Sequence, residues 1–524
     1  MNYFASGDAP FFFAEQIKNL SWLPPVWDAS QGFGENLLVR LWIDYPFRLI
    51  VKLLSSVGLS WFIIEKLLWL SVFVLAIYSS YRLGKYILGK GPAAIFTPVI
   101  YVANTYMLLL FAGGQLGVAF AYGFAPLVLC KFIETIDGQN KLDFRRTVIN
   151  GLFLALLGVF DLRIGYLIIA AIVLYLVLKK KFSSFYTFVI SVLVAGSAHL
   201  FWILPTVLTG TGPGTLGQDF INPDMLKFLS VADFSHALSL LHPNWPENLF
   251  GKVYFLQPEF LVIPVLAFAS LLFLKQITDN RYRITFFALL ALIGSFFAKG
   301  VNDPFGGVFQ WMFIHVPGFV MFRDPTKFYL FTAIGYSILI PFTLERFKKK
   351  MLYIIFIIFW VFSIRAVFSG QVKGNFKPMQ IPAEYVQLKN LLVADSVPSR
   401  TLWIPQKNTF AYYSDIHPIM TATSSVSIDT GVKYVIVPTD VYKRIYLTDY
   451  KFDPSIRTKL IDQLSQSLIR NPSFHDLAVF ENPDFTGMHT TIPATVADAQ
   501  HFANIGTGLS AVFLIFWLIW IYLV

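Results

Sequence analysis

Three groups of residues have types and spacing suited to chemistry, and each also has an ordinary structural reading. Asp8 follows Gly7 and precedes Ala9-Pro10-Phe11. A carboxylate so placed could take a proton from an attacking hydroxyl. It stands two residues before Pro10, at the head of the run Phe11 to Leu20, and so also reads as a helix N-cap. On the residues alone the cap reading is the stronger. The stretch Met321-Phe322-Arg323-Asp324-Pro325-Thr326-Lys327-Phe328 sets two cations at the mouth of an apolar run. Arg323 and Lys327 read as interfacial cations whose stems lie along apolar surface. An Arg fixed beside a proline also suits a lipid phosphate, which its planar fork can grip with two parallel hydrogen bonds. Asp161 and Arg163 fall at a tight turn between two apolar runs, where a site role and a plain solvated end are evenly matched.

Other constellations carry less. His236 and His242 with Asp233 lack tight ligand spacing and any cysteine, so isolated interfacial histidines are the better reading than a metal site. Gly212-Pro213-Gly214-Thr215-Leu216-Gly217 has the spacing of a dinucleotide loop, but no strand precedes it and no helix opens after it. A loop is the better account. Asp28, Glu35 and His236 remain candidate site-lining residues beside Asp161 and Arg163, and Asp44 is a further acid near the N-terminus. The sequence assigns no cofactor and leaves a divalent metal open.

The elements that must position these residues are set by composition. The chain has 524 residues, of which 56% are hydrophobic and 14% charged, with 54 Phe, 24 Tyr and 12 Trp. Mean hydropathy is +0.61. Soluble domains run near 25% charged, and a soluble fold of this size could not cover so many aromatic rings. One cysteine, Cys130, excludes an internal disulfide framework. A polytopic α-helical membrane protein follows.

Apolar runs near 58–80, 92–112, 116–134, 147–161, 163–178, 183–205, 259–275, 284–299, 327–344, 351–369 and 505–524 make about eleven spans. The short pair 147–161 and 163–178 could instead be re-entrant. Connections 81–91, 135–147, 179–182, 275–283 and 345–350 hold 16 Lys or Arg in 43 residues, whereas segments 1–56, 206–258 and 300–326 hold 7 in 136. The positive-inside bias puts the short loops in the cytoplasm and the long segments outside. Much of the net charge of +10 therefore belongs to membrane topology, and no nucleic-acid partner is expected. Met1 would lie outside without a signal peptide ahead of it, which favours a parent protein starting earlier with a further helix.

The expected organisation is an outer first loop at 1–56 and a transmembrane domain at 57–369 with outer loops 206–258 and 299–326. A small extracytoplasmic α/β domain at 370–504 and a final transmembrane helix at 505–524 complete it. In the α/β domain, 400–405, 432–437 and 477–480 read as strands. A helical period of Ile456, Leu460, Ile461, Leu464 and Leu468 starts at Pro454. The run Pro46 to Ser56 reads as a helix lying in the membrane interface.

Several of these motifs resemble one known group. Gly7-Asp8-Ala9-Pro10-Phe11 in a first outer loop, followed by Pro25-Val26-Trp27 and Gly32-Phe33-Gly34, resembles the multi-span glycosyltransferases of the GT-C superfamily. The Phe322 to Phe328 stretch resembles the Phe-Arg-x-Pro-x-Lys-type motif of the mycobacterial arabinofuranosyltransferase D group. Gly431 to Ile436 with Val479-Phe480-Glu481-Asn482 is similar to the outer-domain pattern of that group and of YfhO-type membrane proteins. The resemblance implies a plasma-membrane (inner-membrane) enzyme that moves a sugar from a polyprenyl-phosphate donor to a glycan or lipid acceptor of the cell envelope. It implies Asp8 as general base, Arg323 and Lys327 against the donor phosphate, and the lipid bilayer as constant partner. Two other classes stay in view: a transporter or flippase for a lipid-linked glycan, and a non-catalytic envelope scaffold. Transporters show internal repeats, broken helices or midplane charges; this sequence shows no clear repeat, and its charges gather at span ends.

Overall fold

The computed structural model describes residues 1–138, 143–181, 184–212, 222–246, 258–276, 281–347, 350–422, 430–439, 454–488 and 492–523. Each of the eleven apolar runs is helical. Among the described residues seven helices are long and apolar enough to cross a membrane: Trp61–Leu88, Leu116–Gly138, Leu162–Lys179, Pro258–Gln276, Arg281–Ala298, Pro325–Arg346 and Ala494–Leu523. Two further runs are bent pairs. Pro92–Val102 and Thr105–Ala112 meet at 45°, and Phe185–Ala198 and Leu200–Thr209 meet at 82°. Phe144–Phe160 and Lys350–Ser363 are shorter. The chain is a multi-pass membrane protein whose described helices give between seven and nine full spans by length and composition.

The breaks have local causes. Asn104 ends the first half of one pair and starts the second, its side chain accepting from the Met107 amide at 3.1 Å. At the sharper bend His199 is buried between Ala155 O, 2.9 Å from Nε2, and the Trp202 indole, which donates to Nδ1 at 2.8 Å. Asp161 caps Leu162–Lys179 through the amides of Arg163 and Ile164. A cap of this kind satisfies amides that have no partner inside the helix.

Pro325–Arg346 is the most enclosed helix, buried on every face from Tyr329 to Leu344. That fits a sequence apolar all round with small hydroxyls that bond back to their own helix, as Ser337 does to Ile334 O at 2.8 Å. Ala494–Leu523 lies at the edge and packs on Leu200–Thr209, where a Cβ at Gly506 would stand 2.3 Å from Leu200 O. It starts at Ala494, inside the segment expected to belong to the outer domain. At the end read as cytoplasmic, Asp137 ties four helices together. It pairs with Lys179 and with Arg283 at 2.5 Å, and accepts from Tyr175 at 2.8 Å, Tyr282 at 3.1 Å and Tyr86 at 3.2 Å.

The α/β domain, which the loop charges read as the outer one, is a five-stranded mixed sheet in the order Ile419–Thr421, Arg400–Trp403, Val432–Val437, Ala478–Glu481, Ile469–Arg470. The first three strands run parallel and the last two antiparallel to their neighbours. Helix Ala383–Ala394 adds Glu384, whose carboxylate gathers the amides of His475, Asp476 and Leu477 at 2.6–3.1 Å. Helix Pro454–Leu464 starts where the periodicity predicts. The N-terminal segment is stitched to this domain: Ser30 O accepts from the Ile419 amide at 3.0 Å, and the Gly32 amide donates to Ile419 O at 2.8 Å. Phe11 meets Phe410 edge-on at 4.9 Å. The expected interfacial helix runs from Leu41 to Ser56, five residues longer than its Pro46 start suggested.

Candidate functional site

One cavity of about 2330 Å³ opens where the N-terminal segment, the helix mouths and the outer domain converge. Asp8, Arg163, Arg323 and Lys327 all line it, with Arg40, Asp44, Arg48, Lys227 and Lys407. Four of the sequence-selected residues thus share one space although they are up to about three hundred positions apart.

Asp8 is placed by backbone interlock. Its amide donates to Gly113 O at 2.6 Å. Gly7 is in the left-handed region at φ +65°, where a Cβ would stand 2.0 Å from Gly113 O. Gly114, at φ +70°, would bring a Cβ to 2.2 Å from the Ala9 amide nitrogen. Only glycine allows this close approach without strain. Asn375 locks the joint from the outer-domain side, accepting from the Ser6 amide at 3.1 Å and donating to Phe111 O at 2.9 Å. The Asp8 side chain is exposed to the cavity and accepts from Gln115 at 3.3 Å. It caps no helix. The first helix is Ala14–Lys18 with Phe13 at its N-cap position, so the cap reading of Asp8 fails. The turn at Gly7-Asp8 and the extended Phe13 keep the run Phe11 to Leu20 from being one helix.

Arg323 follows one short 3₁₀ turn, Phe319–Phe322, and Lys327 sits on the next, Pro325–Phe328. Phe322 and Phe328 are buried and meet at 5.0 Å with their rings tilted by 41°, fixing the turns from below. Asp324 accepts from the Thr326 amide at 3.0 Å and from Lys327 Nζ at 2.6 Å. Burial works to raise the Asp324 carboxyl, but the Lys327 ammonium and the Thr326 bonds outweigh it and hold the group well below the usual carboxylate range. Lys327 is buried and already salt-bridged; Arg323 is half-buried.

Most of the remaining candidates brace rather than line. Asp161 is fully buried and holds Arg163 by a two-pronged pair, the shorter contact 2.6 Å, and Arg163 also feels the Asp324 charge. Asp28 pairs with Arg48 at 3.0 Å, and Glu35 with Arg40 at 2.8 Å, so both act through cations that do line the cavity. Burial opposes charge on Asp28, yet Ser30 and Arg48 keep its carboxyl below the ordinary range. Asp44 lines the cavity and pairs with Arg40 at 2.8 Å; burial raises its carboxyl despite Arg40 and Arg48. His236 lies 3.9 Å from Asp233. His236 and His242 are buried within the protein, His236 on a short helix packed against Arg281–Ala298 and His242 against the Tyr329 ring; burial pushes the His242 imidazole down to about 3. Among the described residues no group of three or more His, Cys, Asp or Glu could hold a metal ion. The glycine-rich stretch from Pro213 to Gly217 lies outside the described residues. Sequence reading missed Lys227, Arg40, Arg48 and Lys407 as site residues, because each is a single positive charge in a long segment of mixed charge with no motif around it.

No family model matches the sequence, and no curated protein matches it. The fold is shared with a solved membrane glycosyltransferase structure. The cryo-EM structure of arabinofuranosyltransferase AftD from Mycobacteria superposes with a TM-score of 0.62 at 13% identity, covering 93% of this chain. Two structural classes of a mutant of AftD give 0.53 and 0.51 at 14% identity, covering 88% and 93% of this chain. The chain spans only 38–40% of the length of those proteins. The resemblance seen in the motifs is matched at the level of the fold.

Proposed function

We propose that this protein is a membrane glycosyltransferase of the GT-C type, moving a sugar from a polyprenyl-phosphate donor to an envelope glycan or lipid on the outer face. The observation that carries this reading is Asp8: a carboxylate exposed to the large cavity, held by a backbone interlock, with no helix to cap. In the proposed mechanism Asp8 takes the proton from the acceptor hydroxyl as it attacks the sugar. Arg323, Lys327 and Arg163 offset the charge that develops on the departing lipid phosphate. Asp28, Glu35 and Asp161 hold the cations in place. The positive-inside bias puts the cavity outside, the α/β domain forms its outer wall, and the plasma membrane is the compartment. The AftD-like fold supports the reading.

The bent helix pairs are a feature a transporter would share. Against that class, the buried charges Glu65, Asp161, Lys299 and Lys327 all stand near helix ends rather than at mid-span. The test is reconstitution of the full chain into liposomes with a panel of polyprenyl-phosphate sugars and envelope glycan. The expected result is release of free polyprenyl phosphate coupled to glycan labelling. Passage of intact lipid-linked glycan across the bilayer without release would overturn the proposal in favour of a flippase.

A further inference from the structure

Lys227 stands on the short helix Pro223–Leu229, lines the cavity that also holds Arg323 and Lys327, and is exposed to it. Its ammonium donates to Asn302 Oδ1 at 2.6 Å. Asn302 is itself fixed, its amide nitrogen donating to Ser230 O at 2.6 Å and Ala232 O at 2.8 Å. The Val301 amide donates to Ser230 Oγ at 3.1 Å. Beside it Gly300 packs so closely that a Cβ would stand 2.1 Å from Ser230 Oγ and 3.0 Å from Pro325 Cγ. Pro325 opens the turn that carries Lys327, two residues after Arg323. The latch therefore ties the Lys227 helix to the element that presents the other two cations.

The holder of Lys227 differs from theirs. Lys327 is neutralised by Asp324, Arg163 by Asp161, Arg48 by Asp28, and Arg40 by Glu35 and Asp44. Lys227 is held by a neutral amide, and among the described residues no carboxylate is ion-paired with it. Its charge is positioned but not cancelled, which suits capture of an anion. Phe228, next in the chain, also lines the cavity and is 63% exposed. Lys407 too is held by a neutral amide, that of Gln31, but its chain neighbours Gln406 and Asn408 are polar. Lys407 also has a ring near it, Tyr413 at 5.2 Å, but that ring is half-buried, whereas Phe228 is bared to the cavity. A cation with a bare ring next to it matches an amphiphile whose anionic head continues into hydrocarbon.

We infer that Lys227 is a further contact for the phosphate of the lipid donor, beyond Arg323, Lys327 and Arg163, with Phe228 against the first part of its chain. This rests on the reading of the cavity as a polyprenyl-phosphate site. Binding is measured on the full chain in nanodiscs, using a long-chain polyprenyl phosphate, geranyl phosphate and inorganic phosphate as probes. Lys227→Gln is expected to weaken both lipid phosphates about tenfold, the scale of one charge-assisted contact, with Lys227→Arg recovering most of it. Phe228→Ser is expected to weaken the lipid phosphates and leave inorganic phosphate unchanged. Inorganic phosphate binding as tightly as the lipids, indifferent to Phe228→Ser, would make the ligand a free phosphate and overturn the lipid assignment. Unchanged lipid affinity in Lys227→Gln alongside a loss in Arg323→Ala would overturn the role of Lys227 alone. Unchanged affinity in both variants would overturn the donor-site reading itself.

Discussion

Gly7, Gly113 and Gly114 decide where Asp8 points, and their cost is measurable. A methyl at Gly114 meets the Ala9 backbone at 2.2 Å and must also tolerate φ +70°. Gly114→Ala should destabilise the protein by about 1–3 kcal/mol, the scale of one strained backbone position. Because the displaced atoms carry Asp8, transfer should fall further than stability does. A thermal midpoint and turnover rate both equal to wild type would show that the interlock is loose. The Gly-Asp pair was visible in the sequence, but its partner turn lies more than a hundred residues away. That distance is why Asp8 read as a cap: the local rule for an Asp before a proline was sound, and a non-local backbone contact overrode it. Arg323 and Lys327 were easier to find, since their placement depends on a short stretch that folds on itself through Asp324 and Thr326.

Element existence was legible almost throughout, because apolar length and breaker residues are local signals. The strands at 400, 432 and 478 and the helix from Pro454 appear where alternation and periodicity put them. Ile419–Thr421 did not, for it is three residues long and forms only because Arg400–Trp403 offers it an edge. The 82° bend at His199 was equally hidden, since apolar residues continue through it and the turn is held by Ala155 on another helix. Asp137 shows what ties such elements together. Asp137→Ala would leave Lys179 and Arg283 without their shared, largely buried partner. Breaking such a pair costs on the order of 3 kcal/mol, so the thermal midpoint in detergent should drop clearly. Asp137→Asn, which keeps an acceptor for Tyr175, should fall between. A midpoint unmoved by Asp137→Ala would mean the helices are held by packing alone.

At the scale of the whole molecule, the cavity has no single author in the sequence. Its walls come from residues near 8, 44, 115, 163, 227, 323 and 407, and only the fold brings these together. Charge counts at the loops still predict its side of the membrane. Single cysteines at Asp415 and Lys180, in a Cys130→Ser background, can be probed on intact cells with an impermeant thiol reagent. Labelling is expected at 415 and not at 180; the reverse would place the cavity in the cytoplasm and remove the envelope from the account. The central claim, that this cavity transfers sugar with Asp8 as base, is tested most directly by Asp8→Asn in the reconstituted protein. An amide fills the same volume and can still accept from Gln115, but it has no useful proton affinity. The account predicts donor binding close to wild type and transfer slowed by about a hundredfold or more, the usual share of general-base catalysis. Transfer within a few-fold of wild type would contradict it, and Asp44, lining the same cavity with a carboxyl raised by burial, would be the acid to test next.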